Sequence, residues 1–590
     1  MKKLIKNIVW MPLLVLGLSS CTDWLDVKPK TSIVLEDMWQ DQSDVEAVVL
    51  SCYNGMLQND FMQRVMTWGE LRSDNLIHND APSTDAGKGV KEMYKSASLS
   101  SVLETDGITS WAPMYNVIKL CNFVIRYAPD VCKVDPDYLQ SEMEAHLAEA
   151  YTIRALCYFY LIRTFKEVPY ITEPTLDDQQ DLQIAATSGD QILPLLIQDL
   201  ETYAKEKAQS QYSSTSSTSS MKATRCRITR NAVCALLADM YLWKASANED
   251  VTSAERDYQQ VIDNCDRIFK DTISSMSTTV VGNSALYLLP NYSSNFSSAS
   301  NMEAIFALAA DKESLWQQNK DNLVFVNQVY GSDNIDGGTR GDWATTYKTT
   351  VNDKYQKPTT YTDISFPYLA DATDNNTLLK SDSRFLYNGS VSGVGFTVYK
   401  YTQGSGFGNY PNWIFYRLAD IYLMKAEALV EQMNCSYSLD EKGDPIFTNQ
   451  TDKPEEYAEQ MKKAHMLIGR VYRRANSSNT TCPAYKDYSA AEADLVYAER
   501  RREFMFEGKR WFDLLRIARR DNKRNPAKAT VALINSVKTK MTEGADLIGS
   551  RLSSMDALYW PINKGELQRN LKLQQNPYYV SKSSDIEKDY

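Results

Sequence analysis

Residues Tyr497–Arg520 read YAERRREFMFEGKRWFDLLRIARR, a stretch in which dense charge is interleaved with large apolar side chains. The apolar residues recur at spacings of two to five, which predicts a helix on either side of Gly508. Phe504, Phe506 and Trp511 are large aromatic residues that a folded chain is expected to bury. The stretch therefore predicts helices that carry charge next to a hydrophobic core.

Three interpretations of these charges are open. Opposite charges stand three residues apart at Glu507 and Arg510 and at Asp513 and Arg516, where they share a helical face. The pattern fits a solvated charged helix, a basic helix that binds nucleic acid, or a partly buried network of arginines and carboxylates. The network, clamping the surrounding helices, is favoured because the aromatic residues must be buried beside the charges.

The order Glu-Arg-x-x-Glu-Phe-x-Phe-Glu-Gly-x-Arg-Trp-x-Asp-Leu-x-Arg, at residues 499–516, resembles the C-terminal signature of the SusD/RagB family. Members are surface lipoproteins that pair with TonB-dependent transporters in Bacteroidetes. Further segments resemble the family's other motifs, so the likeness covers nearly the whole mature chain: Glu149–Tyr170, Arg230–Ala245, Asp382–Phe385, Tyr399–Tyr401 and Leu558–Tyr578. It implies a mainly α fold, with four tetratricopeptide-like helix pairs in a right-handed helical scaffold and a large loop-rich insertion region containing short strands.

The first twenty residues have the pattern of a secretory signal. Three lysines precede an apolar run from Ile8 to Leu18, which is too short to cross a bilayer core of about 30 Å. The sequence Leu18-Ser19-Ser20-Cys21 resembles a bacterial lipoprotein box, which implies cleavage before Cys21 and its acylation; the alternative is an ordinary secreted protein with a free Cys21. The acidic stretch that follows, residues 22–26, resembles the signal that sends such lipoproteins to the cell surface. We expect a lipid-anchored protein exposed on the outer membrane.

Bulk charge restricts the partners. The chain has 64 basic and 75 acidic residues and a net charge of −11, which becomes −14 when the three leader lysines are removed. Such a chain is a poor non-specific partner for nucleic acid, and its field disfavours highly anionic polymers unless a local basic cleft overrides it. Because no Pro/Gly linker divides the chain, we expect one domain at 21–590, with family regions at about 21–250 and about 290–590.

Three segments have helical periodicity. Leu147–Phe165 places apolar residues at three- and four-residue steps, which predicts one strongly amphipathic helix. Ile228–Ala245 and Trp413–Val430 are also predicted to be helical, and they share nearly the same nonapeptide, Leu237–Ala245 and Leu418–Ala426. In both segments, small residues on one helix face with a bulky aromatic residue three positions later suggest tetratricopeptide-like helix pairs. These pairs are expected to be dispersed along the chain instead of forming a regular array.

The segments between these helices differ in composition. Ser210–Ser220 is serine-rich and is predicted to be a flexible loop. Residues 271–412 are rich in Ser, Thr, Asn, Gly and aromatic residues and lack long helical periodicity. Short strands are predicted there at Ala304–Leu308 and Gly395–Tyr399.

No catalytic motif is found in the sequence. It has three histidines and lacks HExxH, GxSxG, Walker A and CxxC patterns, so we expect no enzyme, no metal site and no cofactor. A carboxylate pair for glycoside hydrolysis leaves no sequence signature, because its separation is spatial. Cys121, Cys157 and Cys234 lie in apolar helical patterns and are expected to be small buried residues rather than disulfide partners.

Recognition of a ligand is better supported than catalysis. Aromatic residues make up 11% of the chain, and their faces can stack on sugar rings while polar side chains bind the hydroxyls. The segment Trp68–Asn75 resembles the family's segment before an N-terminal ligand-facing loop, which would be His78–Tyr94. Candidate contacts are Arg72, Asp74, Asn75 and Tyr94. The alternative is that Asp74 and Asn75 only cap a turn; Trp111 is assigned to the core.

A second candidate region, Trp316–Tyr347, follows Glu303–Phe306 as ligand-contacting loops do in relatives. Its candidate contacts are Trp316, Asn319, Arg340, Trp343 and Tyr347. For each aromatic residue the alternatives are a place in the core or contact with a partner protein. In this family the binding residues vary, so no residue-level motif transfers.

The resemblance implies a cell-surface lipoprotein that binds oligosaccharide or polysaccharide and works with a SusC-like TonB-dependent transporter in capture and uptake. Two rivals are open: a RagB-type lid that takes peptides, and a tetratricopeptide scaffold that binds only protein. Composition and resemblance together predict a transporter, a glycan and the membrane as partners, and no nucleic acid.

Overall fold

The computed structural model describes residues 38–75, 107–176, 182–214, 216–272, 286–296, 301–309, 346–348, 383–392, 395–398, 400, 412–475, 491–538 and 545–580. These residues form a mainly helical structure, as the sequence predicted. The leader and Cys21 lie outside them. Within the described ranges, every helix is too short or too polar to cross a membrane.

Helices dominate the N-terminal half of the described chain. In chain order they are α1 (Gln42–Met56), α2 (Asn59–Glu70), α3 (Ala112–Val134), α4 (Gln140–Phe165), α5 (Gly189–Asp199), α6 (Ser217–Cys226), α7 (Arg230–Ala247) and α8 (Val251–Phe269). A π-helical turn, Leu200–Ala204, continues α5.

Helices of the C-terminal half are more varied in length. They are α9 (Ser383–Asn388), α10 (Leu418–Met433), α11 (Thr448–Asp452), α12 (Pro454–Ala475), α13 (Ala491–Glu503), α14 (Arg510–Arg524), α15 (Val531–Lys538), α16 (Ala545–Arg551) and α17 (Lys564–Arg569). Helix α13 ends and α14 begins on either side of Gly508, which confirms the predicted break.

Short polar side chains begin several helices by accepting hydrogen bonds from otherwise unpaired backbone amides. Asp41 caps α1, Thr229 caps α7 and Asp250 caps α8. Ser216 caps α6 by accepting from the amide of Ser219 at 3.1 Å. The prediction of a flexible loop at Ser210–Ser220 is therefore wrong in its second half, where a serine cap starts a helix.

Three helical hairpins form the scaffold. Helix α3 packs on α4, α7 packs on α8, and α10 packs on α12. The first two pairs are consecutive in the chain, and residues 434–453, which include α11, separate the third pair. Helix α8 packs on α10 and so joins the second hairpin to the third, while α1 packs on α3 of the first hairpin. The resemblance implied four tetratricopeptide-like helix pairs, and the described residues show these three.

The repeated nonapeptide has the same role twice. Helices α7 and α10 both pack on α8, which lies between them. Lys244 of α7 binds Asp257 of α8 at 2.7 Å, and the matching Lys425 of α10 binds Asp266 of the same helix. The sequence match therefore reflects two helices that dock on opposite parts of a shared neighbour.

Helix α4 is buried on all sides in its second half. From Thr152 to Phe165 every residue is buried, including Arg154, Arg163 and Thr164. The prediction of a strongly amphipathic helix is wrong, because neighbouring helices cover the face that would have been polar. The arginines are accommodated through Asp199, which binds Arg154 at 2.9 Å, and through aromatic rings that stack on Arg163.

Strands are short and paired antiparallel. They are β1 (Glu167–Pro169), β2 (Ala186–Ser188), β3 (Ala304–Leu308), β4 (Thr346–Lys348), β5 (Gly389–Ser392), β6 (Gly395–Val398), β7 (Trp413–Arg417), β8 (Tyr437–Leu439) and β9 (Pro445–Phe447). The pairs are β1–β2, β3–β7 and β8–β9, and a three-stranded sheet has the order β4-β6-β5.

Strand β3 confirms the prediction at Ala304–Leu308, and β6 confirms the strand that was predicted to start at Gly395. Strand β7 corrects the third helix prediction, which began at Trp413. Its five residues pair with β3 in the register Leu308↔Trp413 to Ala304↔Arg417, and all are buried. The short apolar run Trp413–Tyr416 is ambiguous between strand and helix, and the partner strand decides it.

The core joins the two ends of the described chain. Trp68 of α2 packs edge-on against Phe165 of α4, with their ring centroids 5.2 Å apart, and its ring centroid lies 6.4 Å from that of Trp560. The backbone amide of Trp560 donates to the carbonyl of Thr164 at 2.8 Å. Trp111 is also buried against Phe165, as predicted. The C-terminal segment thus completes the core around the N-terminal helices.

The cysteine prediction agrees with this core. Cys121, Cys157 and Cys234 are buried and carry free thiols. The Cys121 thiol donates a hydrogen bond to the Cys52 sulfur at 3.8 Å, a distance far longer than a disulfide bond.

Two glycines allow α2 to meet the turn before α14. A Cβ atom on Gly69 would lie 1.7 Å from the carbonyl oxygen of Gly508, a distance that no side chain can occupy. Gly508 itself has φ +69°, a conformation that glycine adopts without strain. The backbones therefore approach each other closely at this point.

We expect Gly69→Ala to destabilise the protein by about 3 kcal/mol or more, since an overpacked core side chain typically costs 1–3 kcal/mol and here backbone must move. Urea unfolding followed by circular dichroism measures the loss. Gly107→Ala is the matched control: its Cβ would meet nothing within 4 Å, so we expect a change within about 0.5 kcal/mol. Equal losses for the two variants would contradict the close approach.

Candidate functional site

In the turn between α13 and α14, backbone amides bind the buried carboxylate of Glu70. Phe506 has φ +67° and Gly508 has φ +69°, so their N–H groups point into a common concavity. Glu70 accepts hydrogen bonds from both amides at 3.1 Å and from the side-chain amide of Asn75 at 2.9 Å. A phenylalanine with positive φ is uncommon, and this carboxylate stabilises the turn that requires it.

Arg417, the last residue of β7, lies at the centre of the charged residues. Its guanidinium donates to Glu303 at 2.8 Å and to both Glu507 oxygens at 2.9 and 3.1 Å. It also binds the Glu503 carboxylate and donates to the Glu503 backbone carbonyl at 2.9 Å. All four side chains are fully buried. Arg474 binds Glu303 at 2.9 Å and also binds Glu503, which extends the cluster to the end of α12.

Two further cations enter from the segment 383–400. The Lys400 ammonium lies 2.7 Å from Glu507 and donates to the carbonyl of Met505 at 2.9 Å. Arg384 donates to Glu499 at 2.7 Å and to Glu503 at 3.1 Å. Both cations are completely buried. We call this set the charge network; its members are Glu70, Asp74, Glu303, Arg384, Lys400, Arg417, Arg474, Glu499, Arg501, Glu503, Glu507 and Arg510.

The network confirms the favoured interpretation of the signature and rules out a solvated helix. The predicted pair of Asp513 and Arg516 is present at 2.9 Å. Glu507 and Arg510 do not pair as their spacing suggested, because the turn at Gly508 separates them. Glu507 binds Arg417, and Arg510 instead binds Asp74.

Opposing effects set the pKa values of these carboxyls. Burial alone would raise the pKa of Glu507, but Arg417 and Lys400 outweigh it and lower that pKa to about 2. Burial would also raise the pKa of Asp74, but the guanidiniums of Arg501 and Arg510 outweigh it and hold that pKa well below its usual range. Burial prevails at Glu70 and raises its pKa to about 7 against the hydrogen bonds that it accepts. Glu507 and Asp74 are therefore ionised at neutral pH, and their contacts are ion pairs.

The N-terminal candidate contacts belong to this buried region. Asp74 accepts two hydrogen bonds from Arg510, at 2.8 and 3.0 Å, and lies 3.1 Å from Arg501. Asn75 accepts from Arg501 at 3.0 Å. Arg72 donates to the carbonyls of Leu558 and Ala557, and its guanidinium lies 4.1 Å from the Trp511 ring centroid.

The expectation that Arg72, Asp74 and Asn75 contact a ligand is therefore corrected. Their side chains have 0% exposure and are held by other parts of the protein. The alternative interpretation, a structural role, fits the geometry better, although it extends beyond capping a turn. The sequence showed polar residues in a loop-like context but not the arginines of α13 and α14 that cover them.

Other members of the network were missed by sequence reasoning. Arg417 was hidden in an apolar run, Trp-Ile-Phe-Tyr-Arg, directly before the repeated nonapeptide. Arg474 lies at the end of α12, and nothing in the sequence set it apart from Arg470 and Arg473 of the same helix. Charge balance gave no signal for them, because the three glutamates at 499–507 are matched by three arginines in the same stretch.

The remaining candidate contacts fall mostly outside the described residues, and they stay predictions. Tyr94, Trp316, Asn319, Arg340 and Trp343 are among these. Tyr347 lies in β4, where its backbone is opposite Phe396 of β6.

A polar cleft adjoins the network at the start of α14. Its enclosed volume is about 20 Å³, room for one or two water molecules and far less than a sugar ring needs. Its lining includes both matched aspartates of the nonapeptide repeat, Asp239 and Asp420, which bind Tyr416 at 2.9 Å and Lys509 at 2.6 Å. Within the described ranges, His, Cys, Asp and Glu form no group of three that could hold a metal. The cleft is therefore not where an oligosaccharide binds.

Comparisons with known proteins match both halves of the chain. A model of the SusD family matches residues 333–579, and a model described as starch-binding and associating with the outer membrane matches residues 23–242. The SusD-like protein P38 of Formosa agariphila is 24% identical over 593 residues, which covers 97% of this chain and 99% of that protein.

Solved structures have a similar fold. NanU of B. fragilis superposes with a TM-score of 0.59 at 20% identity, covering 94% of this chain and 100% of NanU. A SusD superfamily protein of Bacteroides vulgatus gives a TM-score of 0.62 at 17% identity, covering 92% of this chain and all of that protein.

Removing the central cation should unfold the network. We expect Arg417→Met to destabilise the protein by about 3–5 kcal/mol, because three buried glutamates lose their common partner. Arg126→Met is the matched control: Arg126 and Asp130 pair at 2.9 Å but are each 51% exposed, so the loss should stay below about 1 kcal/mol. Urea unfolding of both purified variants measures the difference. A loss at Arg417 no larger than at Arg126 would show that the network does not hold the fold together.

Proposed function

The chain belongs to the SusD/RagB family, and from that premise we propose that it is a cell-surface glycan-binding lipoprotein. In this proposal it captures oligosaccharides or polysaccharides and works with a SusC-like TonB-dependent transporter in their uptake. Its task is binding rather than catalysis.

The observation that carries the proposal is the extent of the family likeness. The two family models match separate halves of the chain, and one of them describes starch binding in association with the outer membrane. The Formosa agariphila relative aligns from end to end, which supports one SusD-like domain at 21–590.

Two parts of the chain would divide the work. The helical scaffold would face the transporter, and segments that leave the scaffold near the charge network would face the ligand. The proposed ligand contacts are aromatic residues that stack on sugar rings and polar residues that bind hydroxyls: Tyr94, Trp316, Asn319, Arg340, Trp343 and Tyr347. Arg72, Asp74 and Asn75 are left out because they are buried in the network.

The attachment to the membrane is proposed to be an acylated Cys21. More than one acyl chain on a single residue gives stable anchoring, whereas one chain gives only marginal binding. Cleavage after Ser20 would expose the amino group that is acylated.

We expect Trp316→Ala and Trp343→Ala each to weaken glycan binding by up to about tenfold, since an aromatic stacking contact contributes about 0.5–1.5 kcal/mol. Isothermal titration against a polysaccharide panel measures the affinities. Tyr203→Ala is the control, because Tyr203 is a 45% exposed aromatic residue on the helical scaffold. Unchanged affinity in both tryptophan variants would refute the site assignment.

The same titrations separate the rival functions. Binding of peptides but no glycan would favour a RagB-type lid, and copurification with a transporter without binding to any soluble polymer would favour a protein-only scaffold.

We expect Cys21→Ser to abolish fatty-acid labelling and to release the protein from the outer membrane. Metabolic labelling with an alkyne fatty acid reports acylation, and protease treatment of intact cells reports surface exposure. Cys132→Ser is the control, since Cys132 is a free cysteine of the scaffold. Labelling that survives in the Cys21 variant would contradict the anchor.

A further inference from the structure

The polar cleft at the start of α14 lies where six elements of the scaffold meet. Its lining comes from α4, α7, β7, α10, α13 and α14, together with the turn that precedes α14. The space of about 20 Å³ is too small for a sugar ring, but it admits a particle of about the size of a water molecule. Whatever occupies it contacts parts of the chain that are far apart in the sequence.

Two arginines of the lining have more hydrogen-bond donors than the protein has acceptors for them. Arg500 uses Nε and Nη2 on the two oxygens of Asp513, at 3.0 and 2.9 Å, and its buried Nη1 has no hydrogen-bond partner among the described residues. Arg516 uses Nε and Nη2 on Glu427, both at 2.7 Å, and no described residue accepts from its Nη1. Each guanidinium therefore has one nitrogen left over.

Arg163 supplies a third such nitrogen from α4. It donates from Nε to the carbonyl of Phe159 at 3.2 Å and from Nη1 to Asp239 at 3.5 Å, while no residue in the described part of the chain accepts from Nη2. Arg163, Arg500 and Arg516 all line the cleft, and each is more than nine-tenths buried. Buried donors are rarely left without an acceptor, so the three indicate an acceptor that the chain itself does not provide.

The N-terminus of α14 borders the same cleft. Gly508, Lys509, Phe512 and Asp513, which surround the start of this helix, are all in the lining. Lys509 is the N-cap residue, and its side chain makes no capping hydrogen bond. The helix has fifteen residues, and its dipole places about half a positive charge at its first turn. The N-terminus therefore favours an anion at the same place as the arginines do.

Charge distinguishes an anion from a water molecule as the occupant. The lining has four cations and three acids: Arg163, Arg500, Lys509 and Arg516 against Asp239, Asp420 and Asp513. Glu427 is outside the lining and binds Arg516 through the Nε–Nη2 edge, away from Nη1. A water molecule would accept hydrogen bonds but leave the excess positive charge of the lining uncompensated. A monovalent anion does both.

We propose that the polar cleft binds one monatomic, monovalent anion of the size of chloride. The ion accepts hydrogen bonds from Arg163, Arg500 and Arg516, which belong to α4, α13 and α14, and it compensates the N-terminus of α14. Its role is structural, because it joins these three helices at the edge of the charge network. The inference does not depend on which ligand the protein captures at the cell surface.

The first experiment locates the ion. Bromide can replace chloride and is identified by its anomalous scattering. Crystals of the mature chain without its leader, soaked in sodium bromide, should give an anomalous difference peak in the cleft within hydrogen-bond distance of the three Nη atoms. Electron density for water molecules with no anomalous peak would overturn the proposal.

The second experiment measures binding in solution. Urea unfolding is followed while chloride replaces methanesulfonate, an anion too large for the cleft, at constant ionic strength so that general screening does not change. For one bound ion, each tenfold rise in chloride above its dissociation constant should add about 1.4 kcal/mol to the free energy of unfolding. A free energy that does not change with chloride, even beside a bromide peak, would mean binding at crystal concentration only and would overturn the proposal.

Variants with opposite effects on the charge of the lining test the site. Arg163→Met removes one donor and the excess positive charge, and should weaken chloride binding about tenfold or more. Asp239→Asn still offers Tyr416 an acceptor but makes the lining more positive, and should tighten chloride binding about threefold or more. The control is Arg126→Met, which removes the same charge from an exposed residue of α3 and should leave the chloride dependence unchanged.

The opposite directions keep the test decisive if one variant folds poorly. A general loss of stability in Arg163→Met cannot produce the tighter binding expected of Asp239→Asn, so the second variant decides alone where the first does not fold. Equal chloride dependence in the unmodified chain and in the Asp239 and Arg126 variants would overturn the assignment of the ion to this cleft.

Discussion

A buried guanidinium must find hydrogen-bond acceptors, and Arg417 satisfies this constraint with three glutamates from two distant parts of the chain. Desolvation makes an unpaired buried charge very costly, so each member of the network requires the others to be in place. The residues lie in or directly beside α2, β3, α9, β7, α12, α13 and α14, and Lys400 follows β6. A structure that forms this cluster must therefore bring together elements that are hundreds of residues apart.

The turn between α13 and α14 shows how the constraint reaches the backbone. Glu70 binds the amides of Phe506 and Gly508, and this allows a phenylalanine to adopt positive φ. Gly69 lets the two backbones approach closely enough for these bonds to form. One carboxylate, one strained turn and one missing side chain thus fix where α14 begins, and α14 in turn covers Asp74.

The same network separates support from recognition. Its cations form ion pairs with internal carboxylates. The arginines of the signature therefore stabilise the fold and do not face the proposed glycan. This division explains why Arg72, Asp74 and Asn75 looked like ligand contacts in the sequence: they have the chemistry of a binding site, but α13 and α14 cover them. The sequence predicted the network, because large aromatic residues must be buried and the paired charges beside them are buried with them.

Local patterns alone determined the helical character, the break at Gly508, the strands that start at Ala304 and Gly395, and the two helices that carry the repeated nonapeptide. They depend on periodicity and on residues with special backbone preferences, which are properties of neighbouring positions. Tertiary structure decided that α4 is buried on every side, that Trp413–Arg417 is a strand, and that Glu507 binds Arg417 instead of Arg510. These outcomes depend on what packs against a segment, and burial changes the free energy of a charge far more than its spacing along the chain does.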